Sequence, residues 1–342
     1  MENNSLASAR KPVKVLDGVP MFIICGIVFV LLLVLGITGA FSNNTLRYLF
    51  KIFLYITMGS MWNLMSGFTG MTSLGQQVFV GIAGYSVCVM TTYYNMSFWM
   101  GILLGAVIAI LFALLLSFVL FRMRGMYFAV ATWLIAEACR LWFNSWAYVK
   151  QGVGLTVKTQ QIPKIGPLYI YALILMAIAI GVIYYLLRSK TGLALTSMRD
   201  EADAASSVGV NIFKTKLICY IIASLFIALA GALFFLNKGS VLPKSGFSID
   251  WTVAMVFIVI LGGSGTVTGP FIGSIIYVLL DEFLSHYPGW SNIILGILAI
   301  LVILFLPKGI MGTLQSKLNF EIFSPKRLSD VKKKAAKVKE AA

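Results

Sequence analysis

The sequence predicts an all-α polytopic membrane protein, and three observations carry that prediction. Hydrophobic residues fill 59% of the 342 positions and charged residues only 11%, against roughly 25% charged in an average soluble protein. With 27 basic and 12 acidic side chains, a soluble body of this size would leave much of its surface apolar. The chain also repeats, again and again, apolar stretches close to the roughly 20 residues that a membrane helix needs.

Ten apolar segments follow one another, at about 21–40, 47–66, 76–94, 100–121, 128–146, 168–187, 217–236, 250–262, 270–285 and 292–306. Two of them are short for a span, so the expectation is about ten transmembrane segments, two of them short or broken. The first leads straight into further apolar segments and is expected to be retained rather than cleaved as a signal. With an even number of spans, both ends share one side. Nineteen Lys and Arg residues then fall on that side and seven on the other (Arg47, Lys51, Lys150, Lys158, Lys164, Lys238 and Lys244), with Arg140 inside a span. Positive charge is retained inside, so both termini are expected to be cytoplasmic and the protein to be a multi-pass component of the cell membrane.

The expected organisation is a cytoplasmic N-terminal tail (1–20), a transmembrane domain (21–311) with an inner loop at about 188–216, and a basic cytoplasmic tail (312–342). The lysines at 332–334 suit either a lipid or partner patch or a solvated helix end, and no site is assigned to them. The net charge of +15 is spread over connections and tails, which argues against a nucleic-acid face. Cys25, Cys88, Cys139 and Cys219 stand singly in apolar stretches and read as small hydrophobes.

Chemistry has little material here. No acidic residue lies between Asp17 and Glu137, and the single histidine, His286, precedes Tyr287, Pro288 and Gly289 as an interfacial turn residue. Neither a metal-ligand cluster nor a nucleophile with its base is visible, so no catalytic or metal-binding residue is assigned. No GxxxxGK[ST] phosphate loop occurs, so any ATP must be hydrolysed by another chain. A self-sufficient secondary transporter would need carboxylates in its spans, and Glu137 is the one good candidate. Arg140, three residues on, shares its helix face. The pair reads either as a polar lining of a path or as a self-neutralising packing device.

Two glycine-rich breaks carry more information: Ser66 to Gly75, with Gly67 and Gly70 among Thr69, Thr72 and Ser73, and Gly262 to Pro270, with Gly263, Gly265 and Gly269 among Ser264, Thr266 and Thr268. Such breaks suit a broken or re-entrant helix beside a cavity; tight packing through small residues is the other reading. The residues expected along a solute path are Asn63, Ser66, Gly70, Ser73, Glu137, Gly263 and Thr266. No side chain reads as a clear carboxylate or ammonium ligand for a solute. In the inner loop, Asp200 is expected to cap a short helix, Glu201 and Asp203 to sit at its positive end, and Gly209 to close it. Its small, Ala-rich face suits a groove on a partner; a solvated connector is the alternative.

Several blocks, in order, resemble the LivM-type permease subunits of ATP-binding-cassette importers for branched-chain amino acids. They are Trp62-Asn63-Leu64 with Gly67, Gly70, Ser73-Leu74-Gly75 and Gly84-Tyr85; Arg124-Gly125-Met126-Tyr127-Phe128-Ala129; Thr191-Gly192 and Arg199-Asp200-Glu201 with Ala204-Ala205 and Gly209-Val210-Asn211; Gly262-Gly263-Ser264-Gly265-Thr266; and Leu306-Pro307-Lys308-Gly309. The resemblance implies a second, LivH-like permease chain, two cytoplasmic ATPases that use ATP and Mg, an extracytoplasmic substrate-binding protein, and no cofactor bound by this chain. It also implies that Arg199, Asp200, Glu201, Ala204, Ala205, Gly209 and Asn211 form the coupling element on an ATPase. Related permeases carry urea, short amides or other amino acids.

Overall fold

The computed structural model describes residues 14–16, 19–284, 291–306, 309–318 and 320–322. His286, the side chains of Cys25 and Asp200, and most of both tails lie outside the described residues.

Ten of the helices carry the ten apolar segments. They are α1 (Val19–Ile37), α2 (Asn43–Thr69), α3 (Gln77–Thr92), α4 (Phe98–Leu120), α5 (Met126–Ser145) and α6 (Ile165–Arg188), and then, after α7 (Lys190–Asp200) and α8 (Ala202–Ser207), α9 (Ile212–Lys238). A short α10 (Pro243–Gly246) precedes α11 (Asp250–Gly262), α12 (Gly269–Leu284), α13 (Ser291–Phe305) and a last helix, α14 (Gly309–Leu318). Among the described residues six stretches are long and apolar enough to cross a membrane: α4, α5, α6, α9, α10 with α11, and Ile293–Gln315. The protein is thus an all-α membrane protein.

Helix limits follow local chemistry. Ser42 caps α2 by accepting from the Thr45 N–H at 3.2 Å, and Gly70, at φ 74°, closes it. Asn211 caps α9 by accepting from the Lys214 N–H at 3.0 Å, and Gly239, at φ 75°, ends it. These are positions where an acceptor side chain and a left-handed residue are favoured. At 27 residues, α9 extends about 40 Å and joins two ends of the molecule.

One end, here the near end, gathers α7, α8 and the turns of the two glycine-rich breaks. Arg124, in the turn before α5, pairs with Asp203 of α8 at 3.2 Å, and a Cβ on Gly309 would lie 2.4 Å from the Cα of Gly263. The far end gathers the 146–164 and 239–249 connections. There β2 (Leu155–Thr156) pairs antiparallel with β3 (Ser240–Val241), and Lys158 donates to Asn95 at 3.0 Å. Lys51 and Glu282 form an ion pair at 3.1 Å. Flanking the helices, β1 (Lys14–Leu16) and β4 (Phe320–Ile322) pair in parallel and bring the two described extremities together.

The core sits where α2, α3 and α9 meet, with α4 and α6 outside them and the α11–α12 hairpin laid against α2. Close backbone approach builds that hairpin: a Cβ on Gly273 would lie 2.0 Å from the carbonyl oxygen of Ile258, so any larger residue there forces the helices apart.

Candidate functional site

The two glycine-rich breaks, some 200 residues apart, meet at the near end. Asn63, buried one and a half turns before the end of α2, donates its amide to the Thr266 carbonyl at 2.8 Å and accepts from the Gly265 N–H at 2.9 Å. Both amide functions are therefore spent on the backbone of the other break. Gly67 lies against the same side chain, where an added Cβ would sit 2.0 Å from Asn63 Oδ1 and 2.6 Å from the Gly265 nitrogen.

Each break is a turn between helices. In the first, Trp62 donates its indole N–H to the Ser73 carbonyl at 2.9 Å, the Leu74 N–H donates to the Thr132 hydroxyl of α5 at 3.0 Å, and Ser73 Oγ accepts from the Gly75 N–H at 3.3 Å. In the second, Thr266 donates its hydroxyl to the Gly263 carbonyl at 2.7 Å and accepts from the Gly269 N–H at 3.1 Å, which opens α12. Gly263 and Gly265 adopt φ of 117° and 75°, conformations that side-chain-bearing residues rarely take. The irregular backbone is thus satisfied internally, as it must be near a membrane.

Arg199 joins this pair of turns to the inner loop. From the last turn of α7 its guanidinium reaches the second break, within 2.8 Å of where a Gly265 Cβ would stand, while its Cα lies 3.8 Å from a Cβ on Gly70 of the first. A cavity of about 220 Å³ opens beside it, lined by Gly70, Met71, Arg124, Phe128, Arg199 and Lys216 among others. Three of these are cations, and the part-neutralising carboxylate is Asp203 on Arg124. Lys216 did not stand out in the sequence, because a lysine at the start of an apolar helix reads as an ordinary end charge.

The inner loop differs from its sequence reading in one respect. Asp200 does not cap the short helix: it is the last residue of α7, and Glu201, extended at φ −158° and ψ 107°, takes the capping position without a side-chain bond. The sequence from Lys190 onward is helical enough to carry α7 through Asp200, which moves the boundary by one residue. Gly209 does close α8. At φ 89° it donates to the Ser206 carbonyl at 3.0 Å while the Val210 N–H donates to Ala205 at 3.1 Å, the paired bonds of a Schellman motif. Ala205 faces inward, only 3% exposed, whereas Glu201, Ala204 and Gly209 are exposed and Val208 projects at 80% exposure. Asn211 is exposed and occupied as the cap of α9.

Of the residues expected along a path, Asn63, Ser73 and Gly263 are buried, Ser66 and Thr266 are half-buried, and Gly70 is open to the near-end cavity. Glu137 stands apart, more than a turn beyond the Thr132 contact. Arg140 Nε donates to both its carboxylate oxygens at 2.9 Å, and the two side chains keep 38% and 31% exposure. Among the described residues no three His, Cys, Asp or Glu side chains gather as a metal site.

The family described as branched-chain amino acid transport system / permease component matches residues 44–306. The chain is 26% identical to the high-affinity branched-chain amino acid transport system permease protein LivM of Escherichia coli, over 85% of this chain and 76% of that protein. It is also 28% identical to LivH, a permease protein of the same system and organism, over 36% of this chain and 40% of LivH. Against the fructose import permease protein FrcC of Rhizobium meliloti the identity is 27%, over 40% of each chain. No solved structure matches.

Proposed function

Because the chain belongs to the family of branched-chain amino acid transport permease components, we propose that it is one of two permease chains of an ATP-binding-cassette importer and moves branched-chain amino acids into the cell. It is a transport component rather than an enzyme and sits in the cell membrane as a multi-pass protein. In this reading the near end is cytoplasmic, on the charge asymmetry of the connections, and ten helices cross the membrane with both tails inside. The partners are a LivH-like permease, two ATPases that bind ATP and Mg, and an extracytoplasmic binding protein. This chain holds no cofactor of its own.

The observation that carries the proposal is the contact of Arg199 with both breaks. A coupling element must convert movement of an ATPase into rearrangement of the solute path, and rigid elements in contact transmit such movement. Here Glu201, Ala204, Val208 and Gly209 face outward to receive a partner, Ala205 anchors α8 to the body, and Arg199 and Asp200 close the helix that touches both turns. Asn211 holds the far side of the loop to α9. Movement of α7 would then shift the clasp of Asn63, Gly263 and Thr266 beside Ser66, Gly70 and Ser73. Glu137 with Arg140 serves as a neutral pair that lets α5 carry polar groups at membrane depth.

The test is ATP hydrolysis by the purified assembly. Leucine-loaded binding protein is expected to stimulate it several-fold, and Val208→Glu is expected to remove that stimulation while leaving the permease pair intact. Stimulation by a sugar-loaded or urea-loaded binding protein, with none by a leucine-loaded one, would move the solute class and keep the importer.

A further inference from the structure

At the far end, opposite the coupling segment, α2, α9, α11 and α12 border a second, open cavity of about 480 Å³, inside the roughly 300–1,000 Å³ usual for small-molecule sites. Its wall is aromatic. Tyr55 packs edge-on to Tyr277 with ring centroids 4.9 Å apart and stacks on Trp251 at 6.3 Å, and Phe234 meets Trp251 edge-on at 4.6 Å. The wall is fixed in place, since Trp251 donates its indole N–H to the Ser245 carbonyl at 2.8 Å.

Its other lining residues bring both signs of charge. Lys238 and Lys244 come from the end of α9 and from α10, Asp250 from the start of α11, and Asp281 from the last turn of α12. Asp250 accepts from the Ser248 hydroxyl at 2.8 Å. Among the described residues Lys244 and Asp281 have no hydrogen bond or ion pair, although Lys51 and Glu282, paired with each other, stand beside Asp281. Two cations and two carboxylates around an apolar floor complement one kind of solute: a zwitterion with an apolar side chain. Deeper along α2 and α12, Ser60 and Ser274 bury hydroxyls with no partner among the described residues, a condition that ordered water ordinarily relieves.

We propose that this far-end cavity is a solute site on the permease itself, which takes a free amino acid by its carboxylate on Lys238 and Lys244, its ammonium on Asp250 and Asp281, and its side chain against Tyr55, Trp251 and Tyr277. The proposal rests on the importer reading above and departs from the expectation that no side chain of this chain would hold the solute's charges. Partly hydrated charges and an open mouth favour capture and release, so the affinity is expected to be about millimolar.

The experiment uses the whole assembly in lipid nanodiscs, cysteine-free except for Leu242→Cys at the cavity mouth, labelled by a water-soluble maleimide. Millimolar leucine is expected to slow labelling several-fold. Leucinamide, which lacks the carboxylate, and 4-methylpentanoate, which lacks the ammonium, are expected not to. Asp281→Asn and Lys244→Gln should each abolish protection. In the chain with its native cysteines, Asp281→Asn should lower maximal leucine uptake at saturating binding protein roughly tenfold, the loss of one charged hydrogen bond.

Equal protection by all three compounds would make the cavity a merely apolar cleft and overturn the proposal. So would variants that keep protection but need more binding protein for half-maximal ATP hydrolysis, since that marks a docking surface. Uptake by the unmodified assembly separates the two readings: leucine uptake without protection overturns the site and keeps the importer, whereas protection without uptake does the reverse.

Discussion

Asn63 is the residue on which the meeting of the two breaks depends, and Asn63→Ala removes both hydrogen bonds across it. In the structure these run to the Thr266 carbonyl and the Gly265 N–H at 2.8 and 2.9 Å. Hydrogen bonds between membrane helices contribute on average about 0.6 and at most about 1.7 kcal/mol each, so two of them set the expected loss at about 1–3 kcal/mol. The freed backbone groups lie in a half-buried turn, and leaving a group unsatisfied costs up to about 1–3 kcal/mol, which favours the upper half of that range. Asn63→Asp keeps the acceptor for Gly265 but turns a carboxylate toward the Thr266 carbonyl, and should lose at least as much. Gly67→Ala acts on the same contact, because its Cβ would stand 2.0 Å from Asn63 Oδ1. The double variant Asn63→Ala with Gly67→Ala should therefore be no worse than the poorer single, a coupling that a double-mutant cycle reads directly. The assay is reversible unfolding of the purified permease in mixed micelles, followed by tryptophan fluorescence. Full additivity of the two substitutions, or an Asn63→Ala variant as stable as the parent, would refute the clasp.

Further outcomes follow from the same geometry. Ala205→Trp should reduce the yield of folded protein, because the residue is 3% exposed, while Ala204→Trp should fold normally and lose substrate-stimulated ATP hydrolysis; the reverse order would place the partner surface elsewhere. Gly209→Ala should cost about 1–2 kcal/mol, since an L-residue is forced into a left-handed conformation at φ 89°, and differential scanning of the assembly measures it. Removing either Glu137 or Arg140 should harm assembly more than removing both, because a lone charge is left at membrane depth; a double variant as impaired as Glu137→Gln, with folding intact, would point to a direct role in the path. Arg199→Gln should leave stability nearly unchanged and uncouple ATP hydrolysis from uptake, whereas Arg199→Lys, which keeps the charge but loses the planar fork, should restore part of the coupling.

The helices were legible because membrane burial acts through composition: each of the ten apolar segments lies on a helix, and Gly70, Gly209 and Gly239 end helices where left-handed backbone is needed. What the sequence hid is long-range pairing. Asn63 was expected along a solute path, but its partners lie some 200 residues away and are backbone groups, which no residue pattern reports. The far-end charges were hidden for the same reason. Lys238 and Lys244 count in the sequence only as charges of a connection, and only the packing of α9, α11 and α12 puts them around one cavity with Asp250 and Asp281. Asp200 shows the opposite limit, where a good capping residue was overruled by a preceding helix that continued through it.

The measurement that bears most directly on the importer reading is leucine uptake into proteoliposomes under two separate energy sources. The chain is reconstituted with a LivH-like permease, the two ATPases and the binding protein outside, and uptake of labelled leucine is followed with ATP and Mg trapped inside, and again with a proton or sodium gradient in place of ATP. Accumulation that requires internal ATP, the ATPases and the binding protein together, and that ion gradients do not support, is the expected result. Accumulation driven by an ion gradient through the permease chains alone would contradict the account.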